Sequence, residues 1–81
     1  MIAPRRFLPS ISALLSFEAV VRLGTATAAA QELNLTQSAV SRQIKTLEEQ
    51  LGVSLMIRQG RRLSPTQAGL DYVTQVRDIL N

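Results

Sequence analysis

No cysteine and no histidine occur in the 81 residues. Their absence removes disulfide frameworks, thiolate zinc sites, most transition-metal chemistry and any Ser-His hydrolytic pair. Neither an enzyme nor a metal or cofactor site is expected. Tryptophan is missing as well, and two phenylalanines and one tyrosine leave the core to small and aliphatic side chains. A chain this short forms one domain with a thin core. No apolar stretch approaches the ~20 residues of a membrane span. Arg5, Arg6, the apolar stretch 7–15 and Ala26-Thr27-Ala28 have the outline of an export signal. Pro9 interrupts that stretch and Glu18 and Arg22 follow it, so an amphipathic helix accounts for these residues better. No membrane association is expected, and the location expected is the cytoplasm, at the nucleoid. An intact amino terminus in the purified protein would exclude export.

Acidic residues are also scarce: six against nine Lys and Arg, for a formal charge of +3. This tilts the partner toward nucleic acid or another anionic surface. The placement of the charges carries more than their sum.

Gly24, Asn34, Gly52 and Gly60 divide the chain into four helical stretches and a short hairpin, with no repeat or low-complexity segment. Residues 1–9 form a loose arm. Ser10 caps a first helix that runs to about Leu23, with Gly24 as its left-handed stop. Its apolar residues, Ile11, Leu14, Leu15, Phe17, Val20 and Val21, cover more than one face. Thr25 or Thr27 caps a short second helix at 28–33, whose alanines permit close helix packing. Thr36 caps a third helix from about Gln37 to Leu51, with Gly52 past its end. Two short runs, 55–57 and 62–64, flank Gln59-Gly60-Arg61 as a hairpin. Ser64-Pro65-Thr66-Gln67 has the form of a capping box with proline at the first helical position. It opens a last helix, from about Thr66 to Leu80, which carries one apolar stripe of Leu70, Val73, Val76 and Leu80 and a second of Tyr72 and Ile79.

At 100° per residue, Val40, Ile44, Leu47 and Leu51 of the third helix share one stripe, while Ser38, Ser41, Arg42 and Lys45 gather opposite. A short helix, a tight turn and a second helix with an uncharged or basic outer face suit the major groove of DNA, about 12 Å wide. Gln, Ser and Arg on the leading turns match base edges, and the positive end of the helix dipole meets phosphate. Glu48 and Glu49 would be repelled by phosphate, which confines contact to the amino-terminal half. The same spacing also fits a solvated face with Lys45 paired to Glu49. Arg58, Arg61 and Arg62 around the glycine tip favour DNA, as a wing on the backbone or in the minor groove, although a basic turn serving solubility has the same composition.

Taken in order and spacing, Leu14-x-x-Phe17, Gly24-Thr25-Ala26-Thr27-Ala28-Ala29-Ala30, the run 33–48 from Leu33-Asn34-Leu35-Thr36-Gln37-Ser38 to Leu47-Glu48, Leu51-Gly52, Leu55-Met56-Ile57-Arg58 and Thr66-Gln67-Ala68-Gly69 resemble the LysR-type bacterial transcription regulators. The resemblance runs from Leu8 almost to the end. It implies a mainly α, winged helix-turn-helix fold with a three-helix core, a short two-stranded wing and a C-terminal linker helix. The chain then divides into a flexible N-terminal arm (1–9), a DNA-binding domain (10–64) and a linker, or dimerisation, helix (65–81) cut short at Asn81. The resemblance implies that Gln37, Ser38, Ser41 and Arg42 contact bases, that Thr25, Thr36 and Lys45 touch phosphates, and that Arg58, Arg61 and Arg62 form the wing. It further implies a homodimer through the linker helix, with Ile11, Leu15, Tyr72, Val76 and Ile79 at the interface and double-stranded promoter DNA as partner. Any small-molecule effector would act through a larger C-terminal domain absent from these residues.

Ala26 stands where an aromatic residue is usual in this family, Met56 where phenylalanine is preferred, and Ser38 where proline is common. The first two alter packing. Ser38 adds a hydroxyl at a base-facing place, so the target sequence is not inherited from relatives. The opening Leu8-Pro9-x-Ile11-x-Ala13-Leu14-x-x-Phe17-Glu18-Ala19 is similar to the subgroup containing regulators of glycine cleavage and of β-lactamase induction. The competing assignment is a protein-interaction module that ignores DNA, which would show no salt-dependent retention on it.

Overall fold

The computed structural model describes residues 9–81, so residues 1–8 of the expected arm, Arg5 and Arg6 among them, lie outside the described residues. The elements run α1 (Ile11–Leu23), α2 (Ala26–Leu33), α3 (Gln37–Leu51), β1 (Met56–Gln59), β2 (Arg62–Pro65) and α4 (Gln67–Leu80). This is the winged helix-turn-helix arrangement expected.

One hydroxyl starts each helix. Ser10, Thr25, Thr36 and Thr66 accept the amide N–H of Ala13, Ala28, Ala39 and Gly69, each at 3.0 Å. Such a cap contributes about 0.5–2 kcal/mol to helix stability. Left-handed residues end the first three helices: Gly24 at φ 87°, Asn34 at φ 59° and Gly52 at φ 70°. Asn34 is the residue on which the helix-turn-helix bend depends. With it left-handed, the Leu35 N–H reaches back to the Ala30 carbonyl at 2.8 Å, and α3 can leave at an angle to α2.

Two expectations need correction. Thr25, rather than Thr27, caps α2, which therefore begins at Ala26 and not at residue 28. Ser64 and Pro65 do not open α4; they stay in β2, with Pro65 opposite Met56 and Ser64 opposite Ile57. Thr66 is the cap because the hairpin holds it: its N–H donates to the Leu55 carbonyl at 2.9 Å and its hydroxyl to the Ser54 carbonyl at 2.7 Å.

Phe17, Val20, Val40, Leu47, Leu55 and Val76 are fully enclosed and join α1, α3, the start of the wing and α4 in one core. Alanines 26, 29 and 30 bring α2 in closely. On α3 the expected stripe holds through Leu47, but Leu51 is exposed, because the helix has run past the core by its last residue. The Tyr72 ring lies 5.8 Å from that of Phe17, and burial pushes its phenol pKa up.

Gly69 sets how closely α4 crosses the wing. A Cβ there would collide with the Leu55 carbonyl oxygen and lie 3.2 Å from Pro65 Cβ. Helix propensity alone favours alanine over glycine by about 1 kcal/mol. The collision reverses the sign: Gly69→Ala should lower unfolding stability by about 1–3 kcal/mol in a urea titration. A stabilised Gly69→Ala would disprove the close crossing.

Candidate nucleic-acid interface

Burial of Val40, Ile44 and Leu47 against α1 turns the opposite side of α3 outward. Gln37, Ser38, Arg42 and Lys45 are exposed, and Ser41 is half-buried beside the wing. Two concavities flank this face. One, of about 460 Å³, is lined by Thr25 and Thr27 at the start of α2, Gln37 at the start of α3, and Arg58, Gly60 and Arg61 of the wing. The other, of about 380 Å³, lies between α3 and β1 and gathers Ser41, Lys45, Glu48 and Arg58.

The structure thus brings Thr25, Gln37, Arg58 and Arg61 around one hollow and Ser41 and Lys45 around the next, with Arg58 shared. Arg42 lies on the other flank, lining a groove towards α1 with Ala39, Gln43 and Thr46. Ser38 and Thr36 lie at the exposed tip of α3. Capping occupies an oxygen lone pair on Thr25 and Thr36 and leaves each O–H free to donate to an anion. Uncapped amides of the first turn of α3, at its positive dipole end, point the same way.

Wing and helix are tied together at both ends. The Leu63 N–H donates to the Gly24 carbonyl at 2.8 Å, which fixes β2 to the turn between α1 and α2. The Arg62 guanidinium lies so close over Gly24 that a Cβ there would come within 2.6 Å of it. The Arg62 side chain therefore reaches from the tip end of β2 back over the turn between α1 and α2, while Arg61 follows Gly60 at the tip. Gly60 has φ 64° and the strands close around it in register Gln59 to Arg62.

Glu48 escaped the sequence reading except as a repulsive charge. Its carboxylate accepts the Leu55 N–H at 2.7 Å and the Met56 N–H at 3.2 Å, anchoring β1 to α3. Gln43 was missed too: it bridges Ser12 and Ser16 of α1. Neither has a local signal, because the partners meet only in the folded chain.

The charges are segregated. Glu18 and Glu32 both receive Arg22, and Glu18 also receives Arg77, joining α1, α2 and α4. Hydrogen bonding to Arg22 holds the Glu32 carboxyl below its ordinary range, and Glu32 foremost, then Glu18, raises Arg22. The expected alternative pairing of Lys45 with Glu49 does not form. Among the described residues, no ion pair engages Arg42, Lys45, Arg58, Arg61 or Arg62.

Of the residues expected at a partner interface, Ile11, Leu15 and Ile79 are exposed, at 58%, 39% and 62%. Val76 is not: it is fully enclosed in the protomer's own core. Tyr72 is half-buried against Phe17, and Leu70, assigned to the other stripe, is the exposed one at 47%. The close crossing at Gly69 sets this rotation of α4.

Four helices with a basic two-stranded wing and an outward α3 define a winged helix-turn-helix protein. The chain belongs to the lysR family of bacterial regulatory helix-turn-helix proteins, whose profile matches residues 11–70. It is 48% identical over 65 residues to the HTH-type transcriptional regulator TrpI of Pseudomonas aeruginosa, covering 80% of this chain and 22% of that protein. It is 43% identical over 74 residues to the glycine cleavage system transcriptional activator of Escherichia coli K12, covering 91% of this chain and 24% of the relative. The chain thus spans under a quarter of the length of these relatives. Among solved structures it is similar to a CbnR_DBD–DNA complex, with TM-score 0.85 and 37% identity over 88% of this chain and 82% of that one. It is also similar to a BenM_DBD/benA site 1 DNA complex, with TM-score 0.82 and 35% identity over 88% of this chain and 83% of that one.

Glu48→Ala should leave the Leu55 and Met56 amides without their acceptor and cost about 1–3 kcal/mol. Hydrogen exchange at those two amides should accelerate more than at Val40 or Ile44. Equal acceleration across all four would mean that Glu48 does not act locally on the wing.

Proposed function

We propose that this chain is the sequence-specific, double-stranded DNA-reading domain of a LysR-type transcription regulator. The observation that carries it is the side of α3 opposite the core, which is exposed, free of acidic partners and flanked by the basic wing. Gln37, Ser38, Ser41 and Arg42 are assigned to base edges in the major groove, where Gln suits adenine and Arg suits guanine. Thr25, Thr36 and Lys45 are assigned to phosphates, and Arg58, Arg61 and Arg62 to the backbone or minor groove as the wing. The structural neighbours solved with DNA support the assignment.

We further assign α4 (Gln67–Leu80) to a linker helix that pairs with its twin, through Ile79 and the exposed Ile11 and Leu15 of α1. A two-fold dimer would place two reading helices in successive major grooves of a pseudo-palindromic promoter site. Effector recognition is assigned to parts of such regulators beyond the matched residues. The site of action is the bacterial nucleoid, and no catalysis is involved. No helix among the described residues is long and apolar enough to cross a membrane.

Selection of bound duplexes from a random pool, followed by titration at several salt concentrations, tests the DNA assignment. Affinity should fall with salt by a logarithmic slope of about 0.9 per phosphate neutralised. Arg42→Ala should cost about 1–3 kcal/mol and relax base preference, whereas Arg61→Ala should weaken every sequence alike and lower the slope by about 1. Identical losses on all sequences for both variants would remove Arg42 from base readout.

The dimer is tested separately by sedimentation. The unaltered chain should sediment as a dimer at high concentration, and Ile79→Asp as a monomer with its fold intact. A monomeric unaltered chain would eliminate this interface.

A further inference from the structure

Gln43 follows Arg42 on α3 but turns towards α1. Its amide nitrogen donates to Ser12 Oγ at 2.8 Å, and its amide oxygen accepts the Ser16 hydroxyl. Ser12 and Ser16 lie four residues apart, about 6 Å along the axis of α1. One planar amide therefore grips α1 at two heights. Ser16 is fully enclosed, the one polar side chain among the described residues that is. Its hydroxyl spends its proton on this contact.

The core residues that α1 and α3 share, Phe17 and Val20 with Val40 and Leu47, make apolar, non-directional contacts, which resist separation more than sliding or rotation. Hydrogen bonds prefer near-linear geometry and do resist both. A side-chain tip about 5–6 Å from a helix axis moves by about 1 Å when the helix rotates by 10°. Functional constellations need placement to about 0.5 Å. A rotation of about 10° would thus be enough to misaim Ser41 and Arg42.

We propose that Gln43 is a positioning residue for base readout: its bridge to Ser12 and Ser16 fixes the rotation and height of α3 on α1, and so aims the side chains assigned to bases. This rests on the DNA-reading assignment above. Gln43 itself touches no DNA in this scheme. Its effect is on discrimination between sequences, not on phosphate contact.

The test compares the unaltered chain with Ser12→Ala, Gln43→Met, and the triple variant S12A/S16A/Q43M. The probes are a duplex that the unaltered chain selects from a random pool, and the same duplex with each base pair of one half-site changed singly. Gln43→Met strands the buried Ser16 hydroxyl and should unfold at lower urea; the triple variant removes both partners and should recover. Discrimination between selected and altered duplexes should nevertheless fall about tenfold in the triple variant. It should fall about threefold in Ser12→Ala, whose exposed site leaves no buried group unpaired. The salt slope should stay unchanged in both. Should Ser12→Ala and the triple variant both keep the unaltered ratio, the positioning role is overturned while base readout stands. An unaltered chain that does not discriminate among the duplexes would instead overturn base readout, and this role with it.

Discussion

The orientation of α3 depends on the burial of Val40, Ile44 and Leu47 against α1. Those three residues repeat at near-helical spacing, so burying them dictates which residues face away. Ser41, Arg42 and Lys45 are presented to solvent by the same packing that makes the core. In a domain this small the core and the recognition surface are two sides of one helix. Core substitutions on α3 therefore cannot be separated from changes in aim.

The wing is held to the helices by polar contacts beside the apolar ones. Leu55 and Met56 are its deeply buried residues, and Ile57 on β1 is exposed. A two-stranded hairpin is marginal by itself in water. Here Glu48 holds its start, Gly24 receives Leu63, and Thr66 closes onto Ser54 and Leu55. These contacts join the wing to α3, to the turn before α2 and to α4. The spacing between Arg58 and Gln37 across the hollow is consequently set by three separate attachments, and the two strands need little stability of their own.

Much of this was legible in the sequence. The caps Ser10 and Thr36, the left-handed stops Gly24 and Gly52, the third helix from Gln37 to Leu51 and the glycine-tipped hairpin are local features that the structure retains. Residue pattern also separated the buried side of α3 from its outer side. What failed was whatever depends on how elements meet. Periodicity puts Leu70 and Val76 of α4 on one stripe, yet Val76 is enclosed and Leu70 exposed, because the close crossing at Gly69 fixes which way the helix rolls. The roles of Gln43 and Glu48 were hidden for a related reason. Gln43 finds its partners 27 and 31 residues away, and Glu48 binds backbone amides, which carry no sequence signature.

Charge placement explains why a formal charge of only +3 suffices for the proposed partner. Glu18 and Glu32 are committed to Arg22 and Arg77 on the far helices, and Glu48 to the backbone of β1. These carboxylates are thus satisfied within the fold. Arg42, Lys45, Arg58, Arg61 and Arg62 are exposed, and among the described residues they have no acid to release before meeting a phosphate. An approaching duplex would displace water and its own counterions, with no protein ion pair to break. The potential that steers association is that of the local face, and so it exceeds what the net charge suggests.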